Sequence, residues 1–140
     1  AILRGRAPRA RFLVVGGPDA VMPEPAGDLP RLADDLGLAG AVIFTGARTD
    51  VPDLLAATDI LVGRSQGDGL PLATAEAGAA RLPVVAIAAN GMGAQIRDGV
   101  TGLVVPDGDV PAIAAAILRL AEDPALRHRG FRAGPAAARG

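Results

Sequence analysis

The chain has 140 residues, half of them apolar, which suits one domain with a buried core and is too short for two ordinary ones. Its 14 basic residues are all Arg and stand against 15 acidic ones, scattered rather than blocked, so the overall balance speaks against nucleic acid or an anionic lipid surface as partner. With no Lys and no Cys, Schiff-base chemistry, disulfides, thiol nucleophiles and cysteine metal sites are excluded, and the single His128 cannot build a histidine metal cluster. Apolar runs such as Ala112 to Leu118 fall well short of the roughly 18 residues of a membrane span, and no charged-then-apolar leader opens the chain, so a soluble, cytoplasmic protein is expected. The opening on Ala1 and directly on a helix-like stretch suggests a piece of something longer.

In chain order, short β-branched runs alternate with Ala- and Leu-rich amphipathic stretches, the pattern of a parallel sheet covered by helices on both faces. The expected class is α/β, a Rossmann-like doubly wound parallel sheet. The first strand is expected over Arg11 to Val15, and Pro18 to Gly27 reads as a surface loop. Asp28 precedes a helical spacing of Leu29, Leu32 and Leu36; a strand follows over Ala41 to Phe44; Asp50 and Asp53 open the next helix. Further strands are expected over Ile60 to Val62, Pro83 to Ile87 and Gly102 to Val105, all buried on both faces. A helix over about Leu70 to Ala80 tolerates Pro71 in its first turn, where the amide it lacks would be unpaired. Asp109 then caps a helix with Val110, Ile113, Ile117 and Leu120 on one face; His128 lies in a polar C-terminal helix and is read as a surface residue; the end of the chain reads as a fraying Ala/Gly tail.

In a parallel sheet the C-terminal strand ends open on one edge, which should gather the loops around Gly16-Gly17, Thr45 to Arg48, Gly63 to Gly69 and Ala89 to Gly93. Ser65-Gln66-Gly67-Asp68-Gly69-Leu70-Pro71 places a Gly-rich turn before a helix whose first amides and dipole favour an anion such as a diphosphate. Asp68 and Glu76 can accept hydrogen bonds from sugar or ribose hydroxyls; equally, Asp68 can cap the helix and Glu76 can lie on a solvated face. Asn90-Gly91-Met92-Gly93 is a second Gly-rich strand-to-helix loop that can offer amides to phosphate or be an ordinary turn. Gly16 and Gly17 lack the full spacing of a dinucleotide fingerprint, and Arg48 can reach a nucleotide or merely a neighbouring Asp.

Taken as a series, these segments resemble the C-terminal domain of glycosyltransferase family 4 and its relatives. The residues carrying the likeness are Arg11-Phe-Leu-Val-Val-Gly-Gly17, Phe44-Thr-Gly46, Asp50 to Val62, Ser65 with Asp68-Gly-Leu-Pro71, Glu76-Ala77, Leu82-Pro-Val-Val85, Arg97 to Pro106 and Glu122 to Arg127. The resemblance implies one half of a GT-B fold lacking its first strand, with residues 1–130 forming a partial nucleotide-sugar-binding domain and 131–140 a flexible tail. It implies that Asp68 lies near the donor sugar and Glu76 binds the ribose. Gly69, Leu70, Pro71 and Leu72, with Gly91, Met92 and Gly93, would meet the diphosphate or sugar, and Gly16, Gly17, Thr45 and Arg48 would lie near the base.

The implied reaction is retaining glycosyl transfer from a nucleoside-diphosphate sugar, of hexosyltransferase type, with no cofactor and no metal. No catalytic side chain is assigned in this segment. An acceptor-binding N-terminal domain would lie outside the chain, which alone should be inactive, and a membrane-peripheral location through that missing domain stays open beside the cytoplasmic one. The sequence departs from the family pattern at Asp68, where Glu is usual, at Arg81, which replaces a Gly and is expected to crowd the turn into the next strand, and at Asn90 and Ala94. These departures keep open a degenerate, non-catalytic nucleotide-sugar binder; a nucleotide-sugar epimerase on a related fold is a further alternative.

Overall fold

The computed structural model describes residues 2–16, 25–65, 71–88, 98–99 and 102–130. In chain order the elements are α1 (Ile2–Arg6), β1 (Phe12–Val15), α2 (Pro25–Asp35), β2 (Val42–Gly46), α3 (Val51–Ala56), β3 (Leu61–Ser65), α4 (Pro71–Ala79), β4 (Val84–Ala88), β5 (Gly102–Pro106), α5 (Val110–Glu122) and α6 (Pro124–Gly130). The five strands expected from the sequence are present and pair in parallel, as the α/β reading requires. Their hydrogen bonds form a two-stranded sheet, β1-β2, and a three-stranded sheet in the order β3-β4-β5. The chain divides into two compact units, Ala1–Val51 and Pro52–Gly140.

The second unit holds most of the core, and strand alternation explains how. Val85, Leu103 and Val105 point to one face of the three-stranded sheet and pack with Ala116 and Leu120 of α5 and Leu126 of α6. Val84 and Ala86 point to the other face and pack with Ala77 of α4 and Leu82, with Leu55 of α3 at the margin. Helices thus cover both faces, and Val85 on the central strand is fully buried. Asp109 caps α5, its side chain accepting a bond from Ala112 N at 3.0 Å, as its position before the apolar stripe leads one to expect. Asp123 does the same for α6 through Leu126 N, and the Arg127 guanidinium donates to the carbonyls of Leu120 and Ala121, satisfying acceptors that the end of α5 leaves open.

In the first unit, Phe12 to Val14 pair with Val42 to Phe44 in register, and the pairing shifts between Val14 and Val15. The expectation of strands buried on both faces fails here: Leu13, Val14, Val15, Ile43 and Phe44 are all exposed. Both strands are edges of a two-stranded sheet, and among the described apolar residues of this unit only Ala33 and Ala41 are buried. Leu29 and Leu32 on α2, and Leu36 just beyond its end, are exposed as well. Helix α2 also starts earlier than expected, at Pro25 rather than after Asp28, taking the last residues of the supposed loop. Proline pre-sets the backbone angle of a first helical residue, and in this way it overrides the cap signal of Asp28.

Candidate functional site

Each unit presents its own part of the expected edge. In the second unit the register of parallel strands places Ser65, the last residue of β3, beside Ala88, the last of β4. The two Gly-rich segments therefore leave from neighbouring strand ends. Helix α4 begins at Pro71, so Pro71 and Leu72 form the helix start expected of them. Asp68, Gly69, Leu70, Gly91, Met92 and Gly93 lie outside the described residues.

Glu76 follows in α4, one residue before the fully buried Ala77, whose side chain anchors this part of the helix to the sheet. The Glu76 side chain is half-buried, and its carboxylate has no hydrogen-bonding or ionic partner among the described residues. It is not on a fully solvated face, and none of its acceptor capacity is spent on the described residues.

Arg81 proves different from expectation. It does not crowd the entry to β4: its backbone takes a left-handed conformation, φ 59°, its side chain is exposed, and Leu82 and Val84 beyond it are buried. Arg81 N donates to Gly78 O at 3.1 Å and Leu82 N to Ala77 O at 2.8 Å, which closes α4 with a Schellman motif. The turn precedes β4 and so lies at the opposite end of that strand from Ala88.

In the first unit, Gly16 and the β2 end are tied together. Gly16 N donates to Gly46 O at 3.0 Å, and the Thr45 hydroxyl lies 2.9 Å from Gly46 O and 3.4 Å from Val14 O. The Thr45 hydroxyl proton is therefore engaged with the backbone, and its oxygen keeps acceptor capacity. Gly46 turns the chain with φ 69°, a conformation glycine adopts without penalty. Gly17 lies outside the described residues.

Arg48 is held by a neighbouring acid. Its Nε and Nη2 donate to the two carboxylate oxygens of Asp50 at 2.8 and 2.6 Å, a bidentate pair on an exposed surface. The hydrogen bond from Arg48 holds the Asp50 carboxyl below its ordinary range, and the same bond raises Arg48. Asp50 was expected to cap α3; its oxygens go to Arg48 instead. The Arg-x-Asp spacing was the available signal, but at that spacing a cap and an ion pair compete for one carboxylate.

His128 is exposed, as expected. Among the described residues no group of three His, Asp or Glu side chains could hold a metal ion, and no helix is long and apolar enough to cross a membrane.

The architecture is a parallel α/β fold in which glycine-rich segments follow the adjacent ends of β3 and β4 and the first of them leads into a proline-started helix. The chain belongs to the group 1 glycosyl transferases, whose family model matches residues 1–123. It is 38% identical over 114 residues to a D-inositol 3-phosphate glycosyltransferase of Mycobacterium marinum, covering 80% of this chain and 24% of that protein. It thus spans about a quarter of the length of such relatives, 27% for the one in Mycobacterium tuberculosis. Among solved structures, Anabaena HepE in complex with UDP-glucose matches with a TM-score of 0.82 and 29% identity, over 94% of this chain and 37% of that one. The C-terminal domain of a group 1 glycosyl transferase from Francisella tularensis matches with a TM-score of 0.84 and 24% identity, over 99% of this chain and 72% of that one. The fold is that of the C-terminal part of a GT-B glycosyltransferase.

Proposed function

We propose that this chain is the donor half-site of a transferase that moves a sugar from a nucleoside diphosphate to an acceptor, with retention at the anomeric carbon and without a bound metal. The observation that carries the reading is the position of Glu76. It is a half-buried carboxylate with no partner among the described residues, on the helix that begins just beyond the strand end shared by Ser65 and Ala88. A ribose has two vicinal hydroxyl donors to give such a group.

The amides at the start of α4 would meet the diphosphate, where the helix dipole and unpaired N–H groups favour negative charge. The same groups would stabilise the leaving diphosphate as its charge develops, electrostatic catalysis by fixed dipoles. Asp68 would approach the sugar, Gly91 to Gly93 the sugar or diphosphate, and the main chain around Gly16, Gly17 and Thr45 to Arg48 the base. UDP is the first nucleotide to try, because HepE, 29% identical to this chain, was solved with UDP-glucose. Transfer itself would need the acceptor side, so the chain alone would bind donor and not turn it over.

The position of Arg81 bears on the degenerate-binder alternative. Exposed, and at the other end of β4, it is no mark against the site. The test is thermal unfolding of the chain with UDP, GDP and ADP, repeated with Glu76→Ala and Glu76→Gln. A ligand that binds only the folded state stabilises it by about 2.7 kcal/mol at a hundred times its dissociation constant. One nucleotide should raise the melting temperature, and both substitutions should remove most of that rise. A folded chain that no nucleotide stabilises, or an effect indifferent to Glu76, would overturn the reading.

A further inference from the structure

The ion pair beyond the end of β2 engages only part of Arg48. Asp50 fills the side of the guanidinium that carries Nε and Nη2, through two bonds of 2.8 and 2.6 Å. That fork is an edge with which arginine grips a phosphate, and here a carboxylate already holds it and answers its charge. What remains to Arg48 is Nη1 and the plane itself. The side chains are 42% and 37% exposed, so a ligand can reach that plane, and an ion pair so exposed adds little to stability. Two bonds also hold the guanidinium in one orientation, where a single bond would let it swivel.

The neighbouring strand ends carry no side chains. Gly16 and Gly46 pair with each other where β1 and β2 finish, two residues before Arg48 in the case of Gly46. A Cβ added at either glycine would meet no atom within 4 Å among the described residues beyond its chain neighbours. A flat, fixed cation thus stands beside a strand edge with open space over it. Aromatic side chains are scarce: the chain has no Tyr or Trp and three Phe. Phe12 and Phe44 stand within the strands, on one face of the sheet, and Phe131 lies outside the described residues.

We infer that the plane of Arg48 stacks on the nucleobase of the donor, and that Asp50 is the positioning residue that holds this plane still. The inference rests on the reading of the chain as a donor half-site and adds to it a side chain for the base. A guanidinium stacks on a heteroaromatic ring through its flat face and its positive charge. The diphosphate is the poorer partner for Arg48, since it would have to displace Asp50 from the fork or meet its charge.

The experiment is calorimetric titration of the whole chain with UDP, GDP and ADP, in wild type and in Arg48→Ala, Arg48→Lys, Asp50→Ala, Glu76→Ala and Arg119→Ala. Arg48→Ala should weaken the nucleotide that binds by about fivefold or more. Arg48→Lys should weaken it nearly as much, because it keeps the charge and loses the plane. Asp50→Ala should weaken it by about twofold, the plane being present but unheld. Arg119→Ala, on α5, should leave it unchanged. Nuclear magnetic resonance adds a readout that a change in stability would not move: the Arg48 δ-methylene protons should shift upfield on adding nucleotide, through the ring current of the base. Circular dichroism melting of each variant establishes that it is folded. Nucleotide binding that depends on Glu76 but not on Arg48, that Arg48→Lys restores, or that leaves the Arg48 δ protons in place would overturn this inference and leave the donor reading standing. Binding as tight in Asp50→Ala as in wild type would overturn the role of Asp50. A folded chain that binds none of the three nucleotides would overturn both readings.

Discussion

Arg81 occupies, at the end of α4, the same left-handed backbone position that Gly37 occupies at the end of α2, with φ of 59° and 70°. The hydrogen bonds match as well. Leu38 N donates to Ala33 O and Gly37 N to Asp34 O, as Leu82 N does to Ala77 O and Arg81 N to Gly78 O. In the second motif the residue after the left-handed one packs back towards the helix, Leu82 onto Ala77. The first helix uses glycine, which pays nothing for this conformation; the second uses arginine, which pays for its Cβ.

Arg81→Gly is therefore expected to stabilise the chain by about 0.5–1 kcal/mol, the relief of left-handed strain less the greater freedom of glycine in the unfolded chain. The check is urea unfolding, which should show a higher midpoint at unchanged slope. Because Arg81 lies away from the Ser65 and Ala88 end of the sheet, nucleotide affinity should not change.

The Arg48–Asp50 pair sets a pH dependence whose sign follows from its acid. Asp50 has a lowered folded-state pKa, chiefly through the hydrogen bond from Arg48, so its contribution is present above the ordinary Asp range and is lost as the pH falls through the lowered value. The difference in melting temperature between wild type and Asp50→Asn should be steady near neutrality and vanish in acid. The Asp50 carboxyl resonance should titrate lower in wild type than in Arg48→Ala. Both residues are exposed, so added salt should shrink the effect.

Burial separates two otherwise similar strand residues. Val85→Ala removes methyl groups from a fully buried site and is expected to cost about 2–3 kcal/mol. Leu13→Ala takes more carbon from β1, yet Leu13 is 42% exposed, and a cost of about 1 kcal/mol or less is expected. Chemical denaturation of the two variants measures both.

Removing the α5 cap by Asp109→Ala should cost about 1 kcal/mol, since Ala112 N loses its acceptor; Asp109→Ser should restore most of it. Unfolding midpoints of the two variants relative to wild type decide the matter.

Much of the fold was legible in the sequence, though unevenly. Asp109 and Pro71 were read correctly because cap and first-turn preferences depend on a residue and its next few neighbours. Asp28 and Asp50 were misread because their roles depend on competition, from Pro25 for the helix start and from Arg48 for the carboxylate. For the candidate site, the order of motifs pointed to Glu76 and to the edge, but the state of each side chain was not written there. Nothing in the sequence around Thr45 announces that its hydroxyl turns back to Gly46 and Val14.

By itself, then, the sequence determined the alternation of strand and helix, the parallel class and the family, because these rest on local periodicity and on short motifs in a set order. Only the tertiary structure decided which apolar strands are buried. Val85 and Leu13 sit in equally apolar runs, but burial depends on what packs from elsewhere in the chain: α5, α6 and α4 cover β4, whereas Leu13 is left exposed. It likewise decided that Arg81 bears a left-handed backbone without crowding the entry to β4, its side chain exposed while Leu82 beyond it reaches the core beside Ala77.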